Sequence, residues 1–341
     1  LPRPATERLI GALRPARVVS AQGTQALSGG GIPTQEGDAL VVATSGTTGE
    51  PKGVVLTGDA VHASAVATSR RLAVDPARDR WVACLPFAHI GGLSVVTRAL
   101  DTGTPYCIHD RFDARRVEHE ALAGATMVSL VATALGRTDT SGYRVVLLGG
   151  AAPPDSLPGN VVTTYGMTET GSGIVYDGIP LEGVEVRLGD GALGSRGEIL
   201  VRGPMLVRAY RDGHDPKLAG GWLPTGDGGS IAPDGRLVVH GRMAEVIVTG
   251  AEKVWPAVVE EALTGHRAVA EAAVWKRPDP EWGERVVAWI VPIDPLAPPT
   301  LDELRELVGA RVAPWAAPKE VEVVSALPRT PSGKVRRGAL R

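Results

Sequence analysis

The chain has 341 residues, of which 36 are Lys or Arg and 38 are Asp or Glu, so its formal net charge is −2 and its isoelectric point is near 6.4. That length has room for about two domains with sizeable cores. The charge balance disfavours a protein that binds nucleic acid or acidic membranes through bulk charge. The two cysteines and seven histidines show neither a disulfide framework nor the spacing of a zinc site.

Hydropathy adds a prediction about the compartment. No apolar run approaches the ~20 residues that span a bilayer, and the first residues lack the apolar core of a signal peptide. We therefore expect a cytoplasmic protein with no stable membrane insertion and no nucleic-acid partner.

The first half of the chain predicts an α/β fold. After a Pro/Gly/Ser-rich opening with one helical piece near Thr6–Leu13, the apolar run Ala39–Ala43 predicts a buried strand, and Asp59–Leu72 has helical spacing. Strands and a helix then alternate at Arg80–Leu85, Thr104–Ile108, Ala114–Leu122 (the helix), Met127–Val131, Tyr143–Leu148 and Val161–Tyr165. Such alternation predicts a largely parallel sheet with covering helices, in which ligands gather where the strands end.

The second half predicts two smaller parts. Short strands at Val184–Leu188, Glu198–Arg202 and Arg236–His240, separated by Gly/Asp/Pro turns, indicate a small β-subdomain. Beyond it, strands at Glu271–Lys276, Arg285–Val291 and Glu320–Val324 mix with helices at Pro256–Leu263 and Leu301–Val312, which indicates a compact α+β domain. We place the boundary between an N-terminal domain, 1–241, and a C-terminal domain, 242–341.

The most informative segment is Thr44–Gly53, which reads Thr-Ser-Gly-Thr-Thr-Gly-Glu-Pro-Lys-Gly after the predicted strand. Its glycines allow close backbone approach, and its hydroxyls and Lys52 suit a polyphosphate. It is not a Walker A loop, because Pro51 stands where that pattern needs a glycine before the lysine. On composition alone, an ordinary surface turn remains the commoner interpretation.

Six further segments carry short motifs: Pro86–Gly92 (Pro-Phe-Ala-His-Ile-Gly-Gly), Gly149–Pro153, Tyr165–Glu169 (Tyr-Gly-Met-Thr-Glu), Thr225–Asp227, Gly241–Ile247 and Pro328–Val335 (Pro-Arg-Thr-Pro-Ser-Gly-Lys-Val). Taken singly, these would be tight turns, a structural histidine and a solvated lysine near the C-terminus. Together with Thr44–Gly53, and in this order, they resemble the adenylate-forming superfamily of acyl-CoA synthetases, peptide-synthetase adenylation domains and luciferases. The resemblance spans nearly the whole chain.

The resemblance implies roles for particular residues. ATP would be bound by Thr44, Ser45, Gly46, Thr47, Thr48, Gly49, Lys52, Gly149, Gly150, Ala151, Tyr165, Gly166, Met167, Asp227 and Arg242. Lys334 would be the adenylation lysine. Thr168 would hold the α-phosphate, and Glu169 would hold Mg²⁺, a cation that prefers oxygen ligands.

The acid and thiol sites follow from the same resemblance. His89, Gly91 and Gly92 would line the acyl pocket, with Arg98 and Ser172 as candidates for a second substrate carboxylate. Ala244 would lie at the interdomain hinge, where the family commonly has Asp or Lys. Gly250, Ala251 and Glu252 would face the channel for CoA. A second departure is Gly228, where Leu or Ile is usual, and which we expect to loosen the packing there.

The implied reaction has two halves: a carboxylate attacks Mg·ATP to give an acyl-adenylate, and a thiol then displaces AMP. Most members have a much longer N-terminal region before the phosphate loop, which here begins at residue 44. In this the chain looks like the short o-succinylbenzoate–CoA ligases of menaquinone biosynthesis. The alternatives are another aryl or short-chain acid–CoA ligase, an adenylation enzyme that loads a carrier protein, and a non-catalytic nucleotide- or acyl-binding regulator. The sequence leaves the oligomeric state open, a homodimer included.

Overall fold

The structure, a computed structural model, describes residues 3–45, 51–154, 156–189, 196–329 and 335–340. The α-helices of these residues are α1 (Arg3–Leu13), α2 (Gly58–Arg71), α3 (Ile90–Thr102), α4 (Ala114–Leu122), α5 (Ala132–Leu135), α6 (Pro256–Thr264) and α7 (Leu301–Arg311). The strands are β1 (Arg17–Ser20), β2 (Gly23–Ala26), β3 (Asp38–Ser45), β4 (Pro51–Thr57), β5 (Trp81–Ala83), β6 (Tyr106–Ile108), β7 (Met127–Leu130), β8 (Val145–Leu148), β9 (Val161–Met167), β10 (Ser172–Tyr176), β11 (Ile179–Pro180), β12 (Glu185–Leu188), β13 (Arg196–Arg202), β14 (Ala209–Tyr210), β15 (Leu223–Ile231), β16 (Leu237–Arg242), β17 (Ile247–Thr249), β18 (Glu252–Val254), β19 (Val269–Asp279), β20 (Gly283–Pro292) and β21 (Glu320–Val323).

The described residues form two compact units. The first comprises Leu1–Arg187, Leu200–Pro224 and Ala232–Leu237, and the second comprises Leu188–Ile199, Thr225–Ile231 and Val238–Arg341. Within the described residues, no helix is long and apolar enough to cross a membrane.

The main sheet of the first unit confirms the predicted parallel architecture. Its strands run in the order β11-β10-β9-β8-β7-β5-β6, and the pairs from β9 to β6 are parallel. The residues of β5, β7 and β8 are buried throughout, as expected of strands covered on both faces. At one edge, β9, β10 and β11 pair antiparallel. The parallel part therefore ends at β9, the strand that leads into Thr168 and Glu169.

A second sheet of the first unit, ordered β14-β4-β3, corrects the extent of the predicted phosphate loop. The loop was expected to run to Gly53, but β4 already begins at Pro51 and pairs antiparallel with β3. The valines and leucine of 54–56 explain the difference, because they form a buried apolar run that continues the strand. Lys52 therefore lies on a strand, directly opposite Thr44.

Helix α3 was not predicted, because Gly91 and Gly92 at its start are poor helix formers. The helix begins after His89 and ends at Gly103 in the left-handed conformation. Gly92 is buried, and a Cβ there would overlap the carbonyl oxygens of Leu85 and Pro86. The small residue thus lets the helix approach the end of the preceding strand. Whether it also leaves room for a substrate stays a prediction.

The predicted helices at Asp59–Leu72, Ala114–Leu122, Pro256–Leu263 and Leu301–Val312 are confirmed as α2, α4, α6 and α7, with ends that agree within a residue. Their N-termini explain part of this agreement: three helices begin at side-chain caps, and α6, which has none, begins with Pro256. The side chain of Thr57 accepts a hydrogen bond from the amide of Ala60, and that of Asp113 from the amide of Arg116. Thr300 and Glu303 form a capping box at the start of α7.

The predicted β-rich segment and α+β segment are also present. Strands β12, β13, β15 and β16 pair in that order. The second unit contains a five-stranded sheet in which β18, β17, β20 and β19 are neighbours and β21 pairs parallel with β20. Helices α6 and α7 pack on it, and their Val259, Leu263, Leu304 and Val308 are fully buried with β-strand side chains in one core.

Candidate functional site

The β3–β4 hairpin contains the ends of the predicted phosphate loop. Thr44 faces Lys52 and Ser45 faces Pro51 across the two strands. Gly46, Thr47, Thr48 and Gly49 lie outside the described residues, so their role in binding phosphate stays a prediction.

Lys52, Tyr210 and Glu169 come together in the first unit although they are far apart in sequence. Tyr210 lies on β14 and pairs with Val54 on β4, so its side chain is on the same face as Lys52, a diagonal neighbour. The Lys52 ammonium lies 5.0 Å from the centroid of the Tyr210 ring. The Tyr210 hydroxyl donates a 3.0 Å hydrogen bond to Glu169 Oε1. Lys52 and Glu169, two residues of the predicted site, therefore contact the same tyrosine.

Tyr210 is the functional candidate that the sequence analysis missed. Burial, together with the neighbouring Glu169 carboxylate, raises the pKa of Tyr210 above its usual range. The phenol is therefore protonated at neutral pH and serves as a donor. The tyrosine belongs to none of the quoted motifs, and only the pairing of β14 with β4 brings it to Glu169.

The segment Tyr165–Glu169 differs in one respect from the prediction, which ended the strand at Tyr165. Strand β9 continues through Gly166 to Met167, because β10 pairs with it there. A Cβ at Gly166 would overlap the carbonyl oxygen of Ser172, so the glycine is needed for the approach of the two strands. Its role in binding ATP stays a prediction.

Thr168 and Glu169 lie on a short 3-10 helix, Thr168–Thr170, that follows β9. The Thr170 hydroxyl fixes this turn, because it accepts a hydrogen bond from the Met167 amide at 2.9 Å and lies within donating distance of the Ser172 carbonyl oxygen at 2.7 Å. The Glu169 carbonyl oxygen also accepts a 2.7 Å bond from the Val207 amide. Backbone and side chain of Glu169 are thus both held by the segment 207–210.

The predicted ATP-binding segment Gly149–Ala151 lies next to Tyr165 in the sheet. Gly149, Gly150 and Ala151 follow the end of β8, and β8 pairs with β9 through Leu148 and Thr163. The Thr164 hydroxyl donates to the Leu148 carbonyl oxygen at 3.2 Å. The parallel pairing of β8 and β9 therefore brings two predicted parts of the nucleotide site to neighbouring strand ends.

Arg98 has an unusual environment for an arginine. Only 3% of it is exposed, and its guanidinium lies 5.0 Å from the Trp81 ring centroid. Among the described residues, its Nε and Nη1 have no hydrogen-bond partner. Burial lowers the pKa of Arg98 from its usual value, yet an arginine stays protonated in proteins. An unpaired buried cation is costly, so this site favours an anion.

A narrow cavity of about 10 Å³, room for about one water molecule, is lined by Arg98, Ser64, Ser94 and Gly171 together with Leu40, Val61, Ala65, Ile90 and Thr97. The buried Ser172 hydroxyl lies 2.9 Å from the hydroxyl of Ser64, one of these lining residues. The structure thus brings Arg98 and Ser172 to the same small polar region.

His89, at the start of α3, is exposed and caps the helix with no side-chain hydrogen bond.

In the second unit two of the predicted ATP-binding residues, Asp227 and Arg242, are neighbours. Arg242 Nε lies 3.0 Å from Asp227 Oδ1, and Arg242 Nη1 donates to the Thr225 carbonyl oxygen at 3.3 Å. The Asp227 amide donates to the Thr225 hydroxyl at 3.1 Å. A carboxylate and a guanidinium fixed in this way can together bind hydroxyl or phosphate oxygens.

Gly228, next to Asp227, corrects one expectation. A glycine in place of the usual Leu or Ile was expected to loosen the packing. Instead, a Cβ at this position would overlap the indole of Trp255, a residue only 4% exposed. The indole fills the space that a larger residue would need.

The predicted hinge and channel residues form two turns of the second unit. Ala244 lies in the 3-10 helix Met243–Glu245 that follows β16. Gly250 and Ala251 both have positive φ and connect β17 to β18 as a two-residue hairpin, across which Thr249 faces Glu252. Lys334 lies outside the described residues, so its role as the adenylation lysine stays a prediction.

One side-chain group was not foreseen from the spacing of cysteines and histidines. Cys107, His109 and Glu120 bring ligand-type atoms within 4.8 Å of one another. His109 Nε2 lies 3.2 Å from Glu120 Oε1, and the other oxygen, Oε2, lies 3.4 Å from the Arg80 guanidinium. The carboxylate thus already has two protein partners.

Known proteins resemble both parts of the chain. The sequence family described as AMP-binding enzyme matches residues 16–211, and the AMP-binding enzyme C-terminal domain matches residues 258–334. A probable 2-succinylbenzoate–CoA ligase of Mycobacterium tuberculosis is 38% identical over 365 residues, covering 99% of this chain and 93% of that protein.

Solved structures agree with these matches. The o-succinylbenzoate CoA synthetase (MenE) of Bacillus subtilis, in complex with its acyl-adenylate intermediate OSB-AMP, has a TM-score of 0.77 at 32% identity, covering 93% of this chain and 72% of that one. The same enzyme with ATP and magnesium ion has a TM-score of 0.76 at 32% identity, covering 93% and 73%. The chain therefore belongs to the AMP-binding enzyme family, the adenylate-forming enzymes.

Proposed function

We propose that the chain is an ATP-dependent acid–CoA ligase that converts o-succinylbenzoate to o-succinylbenzoyl-CoA through an acyl-adenylate. The near full-length similarity to a 2-succinylbenzoate–CoA ligase supports the ligase and its acid. The likeness to a synthetase bound to OSB-AMP supports the adenylate route, and the likeness to its complex with ATP and magnesium supports these cofactors.

In the first half-reaction, a substrate carboxylate attacks the α-phosphorus of ATP and pyrophosphate leaves. The Gly/Thr loop at 44–49 and Lys52 bind the phosphates, Gly149–Ala151 and Tyr165–Met167 bind the base, and Asp227 and Arg242 bind the ribose. The Thr168 hydroxyl holds the α-phosphate, and the Glu169 carboxylate is an oxygen ligand of the kind that Mg²⁺ prefers, so this residue fits that ion. When bound, Mg²⁺ neutralises charge on the phosphates.

Lys334 acts at the centre of that step. Its ammonium neutralises charge that builds up as one anion attacks another, an interaction that strengthens in the transition state. In the second half-reaction, residues 242–341 act as a mobile C-terminal domain that turns about the segment Arg242–Glu245. The turn withdraws Lys334, brings Gly250–Glu252 to the CoA channel, and allows the thiol to attack the acyl-adenylate and release AMP.

The observation that best supports the acid is Arg98. o-Succinylbenzoate has two carboxylates, and only one of them is activated. The buried Arg98 guanidinium has unused donors beside a small polar cavity, and Ser172 lies in the same region. A second carboxylate at Arg98 would pair the cation and use those donors. Benzoate has only one carboxylate, and succinate lacks the aromatic ring that separates the two carboxylates of o-succinylbenzoate.

The direct test is product formation. The protein is incubated with ATP, Mg²⁺, CoA and one acid at a time, and the thioester and AMP are quantified by mass spectrometry. We expect equal amounts of o-succinylbenzoyl-CoA and AMP, with little thioester from benzoate or succinate. A different preferred acid would refute the substrate, and AMP without thioester would refute CoA as the acceptor.

A variant separates the substrate from the fold. Arg98→Met keeps the length of the side chain but removes the cation, so kcat/KM for o-succinylbenzoate should fall about 100-fold, as expected when a charged partner is lost. The melting temperature should stay level or rise, because a buried unpaired charge has been removed. Unchanged kcat/KM would show that Arg98 does not bind the acid.

A further inference from the structure

The hydroxyl and ring of Tyr210 connect two groups that the proposed function requires. The hydroxyl donates to Glu169 Oε1 at 3.0 Å, and the ring carries the Lys52 ammonium 5.0 Å from its centroid. Tyr210 is half-buried, and the His214 ring stacks nearly parallel to it, with centroids 6.0 Å apart and planes inclined by 14°. Both the hydroxyl and the aromatic ring of Tyr210 therefore contact other side chains.

The backbone around Tyr210 holds this arrangement in place. The Tyr210 amide donates to the His214 carbonyl oxygen at 2.8 Å, and Ala209 and Tyr210 pair with Val55 and Val54 on β4. A rigid strand thus fixes the ring, and the ring fixes one carboxylate oxygen.

The hydrogen bond determines how the Glu169 carboxylate can meet a cation. It engages Oε1 and so fixes the orientation in which the carboxylate would present its other oxygen, Oε2, to a metal ion. The ring has a different effect on Lys52, because the cation–π contact of an exposed ammonium is a weak attraction. That attraction is small enough for the ammonium to leave the ring when a phosphate offers a full negative charge.

We propose that Tyr210 is a positioning residue that orients Glu169 for Mg²⁺ with its hydroxyl and holds Lys52 ready for the polyphosphate with its ring. The inference rests on the proposed ATP-dependent function. It predicts that the two parts of the side chain affect different quantities, the hydroxyl the dependence on Mg²⁺ and the ring the affinity for the phosphates.

The test uses Tyr210→Phe, with Tyr143→Phe as the matched control. Tyr143 is a buried tyrosine of the first unit, and its hydroxyl donates at 2.5 Å to the carbonyl oxygen of Val117, a residue that belongs to none of the predicted motifs. Calorimetry measures the affinity for a non-hydrolysable ATP analogue with and without Mg²⁺. A Mg²⁺ titration of acid-dependent ATP–pyrophosphate exchange supplies the kinetic counterpart.

We expect Tyr210→Phe to raise the Mg²⁺ concentration for half-maximal exchange about 10-fold, the effect of losing one hydrogen bond to a charged group. High Mg²⁺ should restore the rate, and the affinity without Mg²⁺ should stay within about 2-fold of the parent. Tyr210→Leu, which also removes the ring, should weaken the Mg²⁺-free affinity as well. Tyr143→Phe should match the parent in both measurements.

A double-mutant cycle tests whether Tyr210 acts through Glu169 or only stabilises the fold. In a Glu169→Gln background, Tyr210→Phe should change the Mg²⁺ dependence no further, because the group that it orients is gone. The proposal is overturned if Tyr210→Phe behaves like Tyr143→Phe, or if its effect persists in that background. If the parent protein binds Mg²⁺ and the analogue but shows no exchange with o-succinylbenzoate, the proposed acid fails while the calorimetric test of Tyr210 still stands.

Discussion

The indole of Trp255 occupies the space in which a side chain at position 228 would lie. The sequence shows only that a larger residue is missing at position 228. It does not show that a tryptophan 27 positions later takes its place, because that contact exists only after the second unit has folded. The two residues therefore form one packing solution, and neither should tolerate change alone.

We predict that Gly228→Leu destabilises the protein by about 3 kcal/mol, because the indole must move out of its site. Trp255→Ala should cost about as much through the cavity it leaves. Combined, the two changes should cost at least about 1 kcal/mol less than their sum, since the leucine then occupies the vacated space. Urea denaturation measures all three variants, and strict additivity would contradict the account.

His240 should make stability depend on pH. Burial, with a smaller contribution from the Arg196 charge, lowers the pKa of His240 from 6.5 to about 4. Above pH 6.5 the ring is neutral in both states and contributes nothing. As pH falls from 6.5 towards 4, His240 binds a proton in the unfolded chain but not in the folded protein. The free energy of unfolding therefore falls across that window.

The loss should be about 1 kcal/mol, once solvent screening of a half-exposed ring is allowed for. His240→Gln should reduce the fall in the urea midpoint between pH 7 and pH 4.5 by this amount. The exposed His119 provides the matched control, as His119→Gln should leave the pH dependence of the parent unchanged. An identical pH dependence in the parent and His240→Gln would refute this role.

At the scale of elements, Arg337 connects three parts of the second unit. Its Nη2 binds both carboxylate oxygens of Glu260 on α6, at 3.0 and 2.8 Å, and its Nη1 binds Oε2 of Glu245, a residue of the proposed hinge, at 3.0 Å. Burial, partly offset by Arg337, raises the pKa of Glu260. The arginine thus compensates a carboxylate that the fold would otherwise leave unpaired.

We predict that Arg337→Gln lowers the free energy of unfolding by about 3 kcal/mol, because Glu260 is left buried without its cation. Arg277 is the matched control: its side chain is 21% exposed, as is that of Arg337, and it also binds two glutamates. Its partners Glu320 and Glu322 are more exposed than Glu260, so Arg277→Gln should cost only about 1 kcal/mol. Equal losses in urea denaturation would contradict the argument.

The elements differ in how far the sequence predicts them, and the reasons are physical. Helix α4 is predicted at its observed bounds, because Asp113 caps it and its apolar residues follow the helical period. Helix α3 is missed because Gly91 and Gly92, in its first turn, have a low helix propensity. The extra length of β9 depends on its pairing with β10, which no local pattern reveals. The apolar run at 54–56 marks β4, but its beginning at Pro51 depends on its pairing with β3.

The candidate site divides in the same way. Motifs with a special composition, such as Tyr165–Glu169 or Thr225–Asp227, are visible in the chain. Tyr210 is an ordinary strand residue by composition, and its importance comes from the sheet that brings it to Glu169. The buried Arg98 was a candidate from the sequence, but its unpaired state is a property of the folded protein.

For the whole molecule, the proposed mechanism assigns Lys334 to one half-reaction only. Lys334→Ala should slow acid-dependent pyrophosphate exchange at least about 100-fold, because a transition-state charge is no longer neutralised. Thioester formation from supplied acyl-adenylate and CoA should continue at close to the parent rate. Lys319→Ala, an exposed lysine of the same unit, should affect neither half. Equal loss in both half-reactions would refute the assignment.

The most direct test of the account is ATP–pyrophosphate exchange in the presence of o-succinylbenzoate, because exchange requires the acyl-adenylate itself. The account predicts Mg²⁺-dependent exchange that needs this acid and proceeds at least about 100-fold more slowly with benzoate, which has a single carboxylate, or with succinate, whose two carboxylates lie closer together than those of o-succinylbenzoate. Exchange that is absent with every acid, or as fast with benzoate as with o-succinylbenzoate, would contradict it.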